Sequence, residues 1–179
     1  AEQDKKDIPE NFAKEIKAYH DKAPVKINGT KVLNFGENNL PFSYTVDYQM
    51  DGLVKKAGRN IVVSVGQLFG QQTHIEGKAR KRDMDLIYDY PRSYSVTLNL
   101  NIPSGYSVAQ ESLQKLNNHI DNEAVRLTTK AEISDGKLVI IFQKVYKQQR
   151  VPVAKWEQVL SMLDRAYEFT SQQIILKKK

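Results

Sequence analysis

The chain has no cysteine among its 179 residues, which excludes disulfides, thiolate metal sites and cysteine nucleophiles together. Histidine is nearly as scarce. His20, His74 and His119 lie far apart, and none has a second histidine at helical ligand spacing. The HExxH, G-x-S-x-G and Walker-type glycine motifs are all missing, so the common hydrolytic and nucleotide-binding signatures are absent. No run approaches the roughly 20 apolar residues that a membrane helix needs, so membrane insertion is not expected. The opening AEQDKKDIPE carries no apolar stretch of the signal-peptide kind. Ala1 either opens an untargeted chain or follows a processing point.

What is present is charge and alternation. Lys and Arg number 27 against 21 Asp and Glu, a formal net charge of +6. The positive residues are scattered except at Lys78-Ala79-Arg80-Lys81-Arg82 and at the terminal Lys177-Lys178-Lys179. A chain of this length buries roughly 70% of its unfolded surface, enough for a core without a metal or a disulfide.

Near the start, Ile8, Phe12, Ile16 and Tyr19 recur every three or four residues, with Asp7 as N-cap and Pro9 in the first turn. That spacing predicts a short amphipathic helix over about 8–20, closed by Pro24. The period then drops to two. Phe42, Tyr44, Val46, Tyr48 and Met50 alternate with polar neighbours, as do Tyr94, Val96, Leu98, Leu100 and Ile102. A third set is Val125, Leu127, Ala131 and Ile133. Such alternation marks antiparallel strands with one wet face. Leu138 to Phe142 is apolar without a break, which predicts a strand buried on both faces. Asn28-Gly29, Asp51-Gly52 and Asp135-Gly136 are dipeptides suited to type I′ turns and read as hairpin tips.

The helical period returns at the end. Pro152 suits a first turn, and Val153, Trp156, Leu160, Leu163 and Tyr167 form one stripe over about 152–170. Ile174-Ile175-Leu176 follows as a last strand. The expected fold is therefore mainly β, antiparallel and sandwich-like, with an N-terminal helix and a C-terminal amphipathic helix. The expected organisation is a tail and connector helix over 1–22 and a β-rich domain over 23–179.

No set of reactive groups converges in the sequence, so the chain is expected to be no enzyme and to hold no cofactor or metal. Asp83 and Asp85 share a strand face if that segment is extended, and flanking Arg80 and Arg82 make a solvated ion-pair ladder of them. Gly66 and Gly70 read as a turn or bulge. The best candidate binding surface combines Arg80 and Arg82 with Tyr88, Tyr90 and Tyr94. Cations and rings together can grip a single nucleic-acid strand. Here Asp83, Asp85 and Asp89 interleave and repel phosphate, so nucleic acid is not the expected partner, and a charged strand edge is the plainer reading. The polar faces of the alternating strands, with tyrosines beside them, give a carbohydrate-binding module as the alternative.

The order of parts carries a resemblance. A segment with Arg80 leads through Tyr90-Pro91 into the alternating strand and then Ile102-Pro103-Ser104-Gly105-Tyr106. Tyr146, a proline-started helix and Ile174-Ile175-Leu176-Lys177-Lys178 close the series. This resembles the C-terminal β-rich region of bacterial transglutaminase-like proteins from about Arg80 to Lys179, and more weakly over 25–79. The resemblance implies a non-catalytic accessory or interaction module of a larger envelope protein. Its partners would be an upstream transglutaminase-like core in the same polypeptide and an envelope protein or glycan. It also implies a periplasmic, envelope or secreted location in a Gram-negative bacterium. The family's core uses a Cys-His-Asp set, and with no cysteine here no catalytic residue carries over.

Overall fold

The computed structural model describes residues 10–11, 14–20, 24–34 and 39–179. The chain divides into two compact units, 1–53 and 54–179. The sequence places one β-rich body over 23–179, whereas among the described residues the first two strands pair with each other and form a sheet of their own.

In the first unit, residues 10–11 and 14–19 are helical. Asp7, Ile8, Pro9 and Phe12, which carry half of the expected helix pattern, lie outside the described residues. Strand β1 (Val25–Leu33) pairs antiparallel with β2 (Ser43–Met50). Asn28-Gly29 is not a hairpin tip. It lies inside β1, where the register shifts between Ile27 and Gly29 and makes a bulge. His20, buried at the end of the helical segment, shares a 3.2 Å hydrogen bond with the Tyr48 hydroxyl.

The second unit begins with β3 (Val54–Ala57) and β4 (Asn60–Val63), joined at Gly58, whose φ of 62° needs no Cβ. Asp51-Gly52 links β2 to β3, strands of different sheets, and so is a connector instead of a hairpin. Two 3-10 turns follow, Val65–Phe69 and Gly77–Arg80. Then come β5 (Leu86–Ile87), β6 (Arg92–Asn101), β7 (Tyr106–Val108) and α1 (Gln110–Lys115). The long hairpin region is β8 (Asn118–Asp121), β9 (Val125–Ser134) and β10 (Lys137–Tyr146). The unit closes with β11 (Arg150–Val151), α2 (Trp156–Phe169) and β12 (Ile174–Lys178).

Two four-stranded antiparallel sheets result, in the orders β6-β10-β9-β8 and β3-β4-β12-β7. The mainly β, antiparallel reading and the C-terminal helix both hold. The Asp135-Gly136 tip forms as its chemistry dictates, with φ of 50° and 72°. Pro103 accepts the Tyr106 amide at 3.1 Å across a turn that Gly105 completes at φ 79°. The last strand does not close a sheet edge. It lies between β4 and β7, so the C-terminal segment is an interior strand.

One contiguous core joins these faces. Val63, Ile174 and Leu176 come from one sheet, Leu127, Leu138, Ile140 and Phe142 from the other, and a stripe comes from α2. Leu138, Ile140 and Phe142 are buried while Val139 and Ile141 are only half-buried. The unbroken apolar run therefore marks a central strand with one covered face, not two. The helix stripe also differs from its reading. Trp156, Leu160 and Leu163 are buried as expected, together with Val159, Met162, Ala166 and Phe169. Val153 and Tyr167 stay exposed, and the Tyr167 ring instead stacks on His74 at 4.1 Å. Phe169 meets Phe69 and Phe142 with centroids 5.1 and 5.4 Å away, which locks the end of the helix to the 3-10 turn and to β10.

Candidate functional site

The five residues singled out in the sequence separate into two groups. Arg80 and Arg82 belong to a structural clamp. Arg80 does not sit on a strand but ends a 3-10 turn. Its guanidinium donates to Asp164 Oδ1 at 2.9 Å and Oδ2 at 2.8 Å, and also to the Ile75 carbonyl at 3.1 Å. The Trp156 indole N–H donates to the Arg80 carbonyl at 2.6 Å, and the Arg82 guanidinium lies 5.1 Å over the Trp156 ring. The basic knot thus ties the start of α2 in place.

The ladder expected between these arginines and Asp83 and Asp85 does not form, because 81–85 is not a strand. Asp85 instead accepts from Arg150 Nε at 2.7 Å and from the Val153 amide at 2.9 Å. Those donors, the amide foremost, hold its carboxyl below the usual carboxylate range. Asp121 and Glu123 are equally occupied. Asp121 meets Lys147 and Arg126, and Glu123 meets Lys155. Among the described residues no three His, Asp or Glu side chains gather as a metal-ligand set.

The tyrosines form the second group, with partners that the sequence reading missed. On β6 and β10, Arg92 lies opposite Tyr146 and Tyr94 opposite Lys144. All four share the strand parity of Val96 and Phe142, so they stand on the core-facing side of the sheet, at its far end. The Arg92 guanidinium lies 5.0 Å from the Tyr88 ring centre, 5.1 Å from Tyr146 and 5.8 Å from Tyr94. Lys144 Nζ lies 5.5 Å from Tyr94 and 5.9 Å from Tyr146, and donates to Gln72 Oε1 at 2.9 Å. Tyr88 and Tyr146 meet edge to face at 5.1 Å. Both cations are thus held by ring faces, whose negative quadrupoles attract them.

The electrostatics follow from that crowding. Burial pushes the Tyr88 hydroxyl up to about 12, with Tyr146 adding to the effect and Arg92 partly offsetting it. Burial also raises Tyr146. Burial and then the neighbouring Arg92 charge lower the Lys144 ammonium. Tyr90 stands outside the cluster on the approach to β6, 64% exposed. A lysine on the same parity as Phe142 and Tyr146 was the available signal in the sequence.

The parity bears on the carbohydrate alternative. Ser93, Ser95, Thr97, Asn99 and Asn101 alternate with Tyr94, so the polar row and the rings occupy opposite faces of β6. A sugar stacked on Tyr94 does not reach that row.

Comparison with known proteins agrees with the β-rich body. A family model described as the A-macroglobulin receptor binding domain matches residues 91–165, a span running from the start of β6 into α2. No curated protein matches the chain. Among solved structures, a protein from Parabacteroides distasonis, described as a "putative protease", aligns at 14% identity with a TM-score of 0.46. The alignment covers 54% of this chain and 19% of that one, so the chain corresponds to about a fifth of that protein's length. This chain is thus similar, over β6 to α2, to a macroglobulin-type receptor-binding β domain.

Proposed function

We propose that the chain is a non-catalytic docking module of a larger polypeptide, and that its partner is a protein. The observation that carries this reading is the match of residues 91–165 to a family described by receptor binding. The polar groups that sequence reading offers for chemistry also favour it, because they hold structure. Arg80 and Asp164 fasten a helix, and Asp85 fastens β11 and the turn after it.

The finer form of the reading is that the parent is a transglutaminase-like envelope protein whose core precedes this segment. Its support is the order of motifs from Arg80 to Lys178. The test deletes 54–179 from the parent protein and measures core turnover and partner association separately. Retained turnover with lost association is the expected result. Loss of turnover on small substrates with the core still folded overturns the non-catalytic reading. A coding frame with no Cys-His-Asp core upstream of Ala1 removes the transglutaminase link, and a parent found only in the cytosolic fraction removes the envelope location.

A further inference from the structure

We propose that Arg92 and Lys144, framed by Tyr88, Tyr94 and Tyr146, receive the carboxylate of a Glu or Asp side chain carried on an extended peptide that adds to the outer edge of β6.

Arg92 and Lys144 are diagonal neighbours across the β6–β10 ladder. Like charges so placed repel, and among the described residues neither lies within ion-pair distance of a carboxylate. The contacts of these two cations are to ring faces and, for Lys144, to the amide oxygen of Gln72. Ring quadrupoles offset part of the repulsion and leave the net charge in place. One carboxylate neutralises both, and a guanidinium fork binds that group through two parallel bonds.

β6 is the terminal strand of its sheet, paired on one side only, by β10. Its register with β10 runs from Arg92 to Asn101 without a bulge, and it contains no proline. Natural edges are commonly blunted by prolines, bulges or charge, and this ten-residue edge has only Arg92 as a charge. A regular, open edge is what an extended peptide uses to add a strand, taking affinity from backbone bonds and specificity from side-chain sites. A strand beside β6 places alternate side chains on the Arg92 and Tyr94 face. Nucleic acid fits less well, since its affinity grows with the number of phosphates neutralised and only two cations converge here.

The inference rests on the docking reading only for the partner being a protein. The test therefore uses defined peptides on the full chain. Two capped peptides of the same alternating Thr/Val sequence, one with a central Glu and one with Gln, are titrated while backbone amide shifts are followed. Inorganic phosphate is titrated in parallel. The Glu peptide should saturate, shift amides of Arg92–Asn101, and bind at least roughly tenfold more tightly than the Gln peptide, a difference of about 1.4 kcal/mol. Arg92→Gln should remove that preference with the remaining amide spectrum unchanged. Lys144→Gln should reduce it, and if this variant does not fold, Arg92→Gln alone decides. Equal binding of the two peptides, no saturation, or a preference that survives Arg92→Gln overturns the proposal. Phosphate shifting the same amides as strongly replaces the carboxylate peptide with a general anion site. Any of these results leaves the deletion test of the docking module unaffected.

Discussion

The Arg80 guanidinium grips the Asp164 carboxylate with two bonds of 2.9 and 2.8 Å across 84 positions of sequence. The pair joins a 3-10 turn that has no buried residue of its own to the middle of α2. Arg80's bonds, more than its charge, hold the Asp164 carboxyl below its usual range. A carboxyl depressed in the folded state stabilises the fold above its unfolded value of about 3.9, and that contribution disappears as pH falls through the folded value. Asp164→Asn should therefore lower the denaturant midpoint at neutral pH and leave it close to wild type in strong acid. Arg80→Ala should do the same, and the double variant should lose little more than either single one. A midpoint difference that is constant from neutral to acid would show the pair to be incidental. Both side chains are about a third exposed, so solvent screening keeps the effect modest.

Gly66 makes a second prediction with a steeper cost. Its amide donates to the Gln172 carbonyl at 3.0 Å. A Cβ there would lie 2.2 Å from the Phe169 carbonyl oxygen and 2.6 Å from the Thr170 carbonyl carbon. Those are backbone atoms, which cannot rotate away. Gly66→Ala should destabilise by about 1–3 kcal/mol, as overpacked sites do. Gly29→Ala is the control, because no atom lies within 4 Å of its added methyl. Similar midpoints for the two variants would mean that α2 is not packed on the turn in this way.

The aromatic trio of Phe69, Phe142 and Phe169 carries the third. Each ring is almost fully buried, and centroid separations run from 5.1 to 5.6 Å. Phe169→Ala should cost about 3–5 kcal/mol, since the cavity opens between three elements that cannot all close on it. Tyr167→Ala, two residues away on the exposed side of the same helix, should cost far less. Thermal unfolding of the two variants separates them. The reverse order would place the helix stripe where periodicity alone puts it.

These cases show which parts of the molecule the sequence discloses. β6 and β9 are legible because alternation is local and each strand's own side chains record which face is covered, whereas the unbroken apolar run of β10 marks a strand without marking its covered face. The Asp135-Gly136 tip is legible because its two strands are adjacent in the chain. Asn28-Gly29 and Asp51-Gly52 have the same local chemistry, but pairing is decided elsewhere, and one became a bulge and the other a connector. The helix was legible by period, yet its face was off by part of a turn, since Phe169 is chosen by Phe69 and Phe142, residues no helical wheel contains. Arg80 reads as a surface charge until Asp164 is in place beside it. The Arg92 and Lys144 cluster was hidden for a similar reason. Tyr94 and Lys144 fall on inward positions of strands whose pairing the sequence does not state.

The last prediction concerns alkaline pH and Tyr88. Its hydroxyl is held protonated up to about 12, chiefly by burial. Burial also raises the hydroxyls of Tyr146, Tyr19 and Tyr48. In the unfolded chain these groups lose their protons near 10. Between those values the folded state binds more protons than the unfolded one, so stability must fall as pH rises. The contribution is complete below about 10 and is lost as pH passes through the folded values. Ultraviolet titration should accordingly show a late component above pH 10 that coincides with unfolding. Tyr88→Phe should remove part of the late absorbance change and flatten the decline of stability above pH 10. A single transition near 10, with the fold intact throughout, would mean that Tyr88 and Tyr146 are open to solvent and that the cation cluster lacks its aromatic walls.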